Sequence, residues 1–91
     1  MKVTDIDIHR VTLEYDEDRA YELIHYHDMT QRTIYVVRTD SGLLGLGESA
    51  SPESQDVLDQ YIGSNPFDWV GDETSLGLGT AMYDLMGKAA G

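Results

Sequence analysis

Cysteine is absent from this 91-residue chain. That excludes disulfide staples, cysteine-based zinc sites and thiol catalysis together, and it suits a reducing compartment. Basic residues are scarce: six Lys and Arg stand against 17 Asp and Glu, for a formal net charge of −11. A surface of that sign repels phosphate backbones and anionic headgroups, so neither nucleic acid nor a membrane is an expected partner. No apolar run nears the roughly 18 residues of a spanning helix, and the opening MKVTDIDIHR lacks the apolar core of a signal peptide. A cytoplasmic location is the expectation. Internal repeats and low-complexity tracts are missing as well.

What is present is an ordinary globular composition, 41% hydrophobic, which argues against intrinsic disorder. The length fits a single domain spanning 1–91. A chain this short buries only about 60–65% of its unfolded surface, so its core is thin.

Hydrophobic spacing places three strands, at about 2–15, 32–39 and 43–49. In the first, Ile6 and Ile8 share one phase while Val11, Leu13 and Tyr15 take the other. That switch predicts a bulge or strong twist near His9–Arg10. TIYVVRT at Thr33–Thr39 is β-branched and alternating, DSG at Asp40–Gly42 is tight-turn chemistry, and LLGLGE returns as a third strand. Glycines inside that strand, Gly45 and Gly47, mark close approach by another backbone or side chain. Between the first two strands, 16–31 is polar and aperiodic and reads as a long loop.

Helices follow, at about 52–62, 66–70 and 74–90. Ser51 is the expected cap of the first, with Pro52 at its opening position and Gly63 as its stop. On the last, Leu78, Met82, Leu85 and Met86 line one side, flanked by Ala81 and Ala89. Strands first and helices after give an α+β class: a three-stranded antiparallel meander backed by a helical layer. The final stripe reads as too large for this sheet alone, so part of it is expected to meet a partner surface.

Few residues suggest chemistry. The glycine runs at Gly42–Gly47 and Gly77–Gly79 lack the strand-to-helix placement and the following Lys-Ser/Thr of a phosphate loop. His25 and His27 share a side of any extended segment, which is ligand spacing, yet no third ligand is fixed by sequence. A small metal-binding protein built on that pair is one reading, and a solvent- or ligand-facing loop is the weightier one. His9 is expected to be a satisfied structural histidine. The acidic run Glu14–Glu22 reads as a solvated face. No catalytic residue and no metal site is assigned.

Three stretches carry a resemblance. TDSGLLGLGES at Thr39–Ser49, IGSNPFDW at Ile62–Trp69 and GTAMYDLMGKAAG at Gly79–Gly91 are similar, in order and spacing, to segments of the N-terminal capping domain of the enolase superfamily's mandelate racemase/muconate lactonizing enzyme group. KVTDIDIHRV suits that domain's opening strand. The stretch between NPFD and YDLMGK is shorter than usual, and Tyr83 stands where many members have Trp.

The resemblance implies a substrate-capping, specificity-determining domain without chemistry of its own. In that family a TIM barrel carries the Mg²⁺ ligands and the Lys or His bases that remove a proton α to a carboxylate. The implied partner is such a barrel from the same parent chain, or else a homo-oligomer. Cofactors are expected to be none in this chain, with Mg²⁺ in the parent barrel. Racemase, cycloisomerase and sugar-acid dehydratase parents all stay open, and no activity is expected in isolation. By position, the family's two mobile loops correspond to Tyr15–Gln31 and Glu48–Ser54. Tyr21, His25, Tyr26, His27, Glu48 and Ser49 are the implied substrate-contacting residues. The competing reading is a free-standing acidic binding or structural module that retains the capping fold.

Overall fold

The computed structural model describes residues 1–12 and 31–91. Three strands, β1 (Val3–Thr12), β2 (Gln31–Thr39) and β3 (Leu44–Ser49), form one antiparallel sheet in the order β1-β2-β3. Helix α1 (Gln55–Tyr61), a 3₁₀ turn (Pro66–Trp69) and helix α2 (Leu76–Ala90) follow. The fold is the expected α+β meander with a helical layer.

Cross-strand register sorts the side chains into rows. On the inner face, toward the helices, Val3 lies beside Thr39, then Ile6–Val37–Gly45, Ile8–Tyr35–Gly47 and Arg10–Thr33–Ser49. On the outer face the rows are Asp5–Arg38–Leu44, Asp7–Val36–Leu46, His9–Ile34–Glu48 and Val11–Arg32. The predicted bulge at His9–Arg10 is not there, because pairing runs unbroken from Asp5 to Thr12. The register shift lies instead between Val3 and Asp5. The extra residue, Thr4, bonds the Arg38 carbonyl and lets Val3 and Ile6, at odd spacing, reach one face. The apolar phase changes at Val11 because the polar Arg10 occupies the inner face and Val11 the outer one.

The turn after β2 follows its chemistry. Gly42 sits at φ 84, and Thr39 Oγ1 donates to the Leu43 carbonyl while bonding Ser41 Oγ. Val3, Tyr35, Val37, Leu58, Tyr61, Leu78, Ala81, Met82, Leu85 and Met86 make the core. The stripe on α2 is therefore covered by the chain's own sheet, with Leu78, Ala81, Met82 and Leu85 wholly buried. Ala89, expected at its flank, is exposed.

Helix and strand meet closely because glycines line the seam. A Cβ added at Gly45 would lie 2.6 Å from the Ala81 carbonyl oxygen, and one at Gly47 would strike the Gly77 carbonyl. The free edge of β3 is blunted from the same helix. Asp84 Oδ2 accepts from the Leu46 N–H at 2.9 Å, Lys88 Nζ donates to the Leu44 carbonyl at 2.6 Å, and the two side chains pair at 3.0 Å.

Helix α1 begins later than predicted: Ser54 is the cap and accepts from Val57 N, whereas Ser51 lies outside the helix. The reason is tertiary, since the Tyr35 hydroxyl holds the intervening backbone at Glu53 N. Helix α1 ends before Gly63, which at φ 86 donates to the Val3 carbonyl as Val3 N donates to Ser64. Beyond it, Asn65 caps the 3₁₀ turn, Pro66 is buried, and Trp69 stacks on Tyr61 at 3.9 Å while donating to Ser64 Oγ. Ser75 caps α2.

Candidate functional site

The polar end of the sheet, where β1 ends and β2 begins, holds the densest side-chain network among the described residues. Arg10 Nη1 donates to Thr33 Oγ1 at 2.9 Å, across one rung of the ladder, and reaches the Ala50 carbonyl at 3.5 Å. Two residues further along β2, Tyr35 is fully buried at the junction of β3 with α1. Its hydroxyl donates to Ser49 Oγ at 2.8 Å and accepts from Glu53 N at 3.0 Å, and Ser49 Oγ passes the chain of bonds on to the Ser51 carbonyl at 2.7 Å. Ser75 Oγ, the cap of α2, donates to Glu53 Oε1 at 3.1 Å. Four elements are thereby tied to one phenol and one carboxylate, namely β2, β3 and both helix starts, while Arg10 ties β1 to β2 and to the Ala50 carbonyl beside them.

Among the described residues no buried side-chain nitrogen or oxygen lacks a partner. The site is consequently a frame that fixes the 50–54 segment. Nearby, burial pushes the Tyr61 phenol above its ordinary range and the Asp72 charge adds to this; the bond to the Ser75 backbone opposes, and Glu53 raises it further. A phenol held up in this way stays protonated and neutral at physiological pH.

The six sequence-derived candidates divide three ways. Tyr21, His25, Tyr26 and His27 lie outside the described residues. Ser49 is on the inner face in the Tyr35 network. Glu48, its neighbour, points to the opposite face, where its Oε1 accepts from Arg32 Nε at 2.7 Å. The structure does not bring Glu48 and Ser49 together, because successive residues of a strand face opposite sides. Glu48 lines an open pocket of about 280 Å³ at the β3 edge, with Ile34, Leu46, Gly47 and Thr80.

His9 is exposed on the outer face, not the satisfied structural histidine expected, and the sheet separates it from Ser49. No acid–base pair activates that hydroxyl among the described residues. Nor do three or more His, Asp or Glu converge there as ligands for a metal ion, Mg²⁺ included. No helix among them is long and apolar enough to cross a membrane.

Arg10, Thr33, Tyr35 and Glu53 were missed at sequence level. Tyr35 and Thr33 read as strand residues, and only the ladder register sets Arg10 opposite Thr33 and Thr33 opposite Ser49. The alternation in TIYVVRT could have placed Thr33 and Tyr35 on one face, but not their partners.

Comparison with protein-family models, with curated proteins and with solved structures gives no match.

Proposed function

We propose that this chain is the capping, specificity-determining domain of an enolase-superfamily protein of the mandelate racemase/muconate lactonizing enzyme group. The observation that carries the reading is that all three family-like stretches perform linked tasks in one fold. TDSGLLGLGES makes the β2–β3 turn and the glycine seam, IGSNPFDW joins α1 to the start of β1, and the final stretch supplies Asp84 and Lys88 to the β3 edge. Those tasks are architectural, which accords with a domain that shapes a binding mouth and leaves bond-making to a barrel.

In this reading the Tyr35 network is the anchor of the second loop, residues 48–54, and the barrel contributes the Mg²⁺ ligands and the base. A loop held along its length in this way can present fixed groups to the distal part of a substrate and exclude water. The gene beyond the codon for Gly91 is the direct test. An in-frame barrel with three spaced Asp or Glu ligands is expected, and a stop codon with no barrel sequence after it would overturn the proposal. The isolated chain with Mg²⁺ should exchange no α-proton of a 2-hydroxy acid in D₂O.

One observation favours the second reading, a self-standing binding module. The α2 stripe is covered by the chain's own sheet, so a partner is not needed to complete the core. Cooperative unfolding of the isolated chain together with that stop codon would support it.

A further inference from the structure

The two edges of the sheet are treated differently. At β3, Asp84 and Lys88 occupy the outward N–H of Leu46 and the outward carbonyl of Leu44. At β1, among the described residues, only Val3 is bonded on its outer side, to Ser64 and Gly63. From Thr4 to His9 no other described residue bonds this edge, the side chains of Thr4, Asp5, Ile8 and His9 are exposed, and Ile8 keeps 37% of its surface although it lies on the inner face. A strand edge of this kind is a template for another strand.

We propose that the occupant is β1 of a second copy of this chain, paired antiparallel about a two-fold axis at Ile8. A two-fold axis perpendicular to the sheet keeps each face on its own side, so only residues of like phase can oppose one another. Charge then selects the register. With Ile8 opposite Ile8 of the second copy, Asp7 faces His9 twice, a carboxylate against an imidazole on the outer face. Slipping the pairing two residues one way sets Asp7 against Asp7; slipping it the other way sets His9 against His9. The Asp7 carboxylate already takes Arg38 Nε at 2.9 Å on Oδ2 and has acceptor capacity for a second donor. At the centre the two Ile8 side chains cover each other, completing an inner face that the helices leave half-open at β1. The product is one continuous six-stranded sheet with both of its outer edges blunted by Asp84 and Lys88. This inference stands apart from the capping reading.

The absence of native cysteine makes the test direct. Directly opposed residues in an antiparallel pair have Cα atoms about 4.5–5.5 Å apart, inside the range a disulfide spans. Ile8→Cys should therefore give a covalent dimer on mild oxidation, whereas Asp5→Cys, far from its symmetry mate, should not. Sedimentation equilibrium of the native chain from about 10 µM to 1 mM should show the mass rising from one chain toward two, the behaviour of a small interface. His9→Asp, an exposed change that sets carboxylate against carboxylate at two symmetric places, should weaken association about ten-fold. A single-chain mass across the whole range would overturn the proposal. So would Asp5→Cys or Leu46→Cys cross-linking as fast as Ile8→Cys, or His9→Asp leaving association unchanged.

Discussion

At the scale of single residues, glycine and tyrosine decide the most. Gly47→Ala would drive a methyl group into the Gly77 carbonyl, which is backbone and cannot swing aside. The expected cost is about 2–3 kcal/mol, the range of core overpacking, read from denaturant unfolding. Gly87→Ala, on the same helix as that obstacle, meets nothing within 4 Å and should gain about 0.5–1 kcal/mol from helix propensity. Opposite signs for one substitution would locate the seam. Tyr35→Phe removes the hydroxyl shared by Ser49 and Glu53 N and should cost about 1–2 kcal/mol. The positions of Gly45 and Gly47 were legible because a glycine in an apolar strand needs a reason. The Tyr35 network was not, because hydrogen-bond partners 14 and 18 residues away depend on a register that no local pattern states.

At the scale of elements, the order of strands and helices was readable from period alone, while their starts and irregularities were not. Ser51 and Ser54 are equally good caps by residue type, and a phenol from β2 chooses between them. The bulge was misplaced for a related reason: a change in which face is apolar looks the same in sequence as an inserted residue. Edge protection supplies an element-scale prediction. The backbone bond from Leu46, with Lys88 beside it, holds the Asp84 carboxyl below the ordinary carboxylate range. A folded-state pKa depressed in this way means the native chain binds fewer protons than the unfolded one, so this contribution is present above about pH 4 and fades as pH falls through the depressed value. Stability of Asp84→Asn should accordingly fall less steeply than that of the native chain as pH drops from about 4 to 2, measured as denaturation midpoint against pH. An equal slope in both proteins would show that Asp84 adds nothing to acid sensitivity.

For the whole molecule, charge and layering set the terms. A net charge of −11 on so small a body makes self-repulsion a general load on the folded state, against which the described ion pairs are few and exposed. Raising NaCl from about 0.01 to 0.5 M should therefore raise Tm, since screening relieves the repulsion more than it weakens those pairs. A stabilisation of about 1 kcal/mol would appear as roughly 4–8 °C in a chain of this size. A falling Tm would mean that local pairs outweigh the overall charge. The layering leads elsewhere. Because α2 and β3 touch main chain to main chain at Gly45, Gly47 and Gly77, nothing along that line can be trimmed or enlarged. Evolution is free to repaint the solvent side of the molecule, while this one contour admits almost a single spelling.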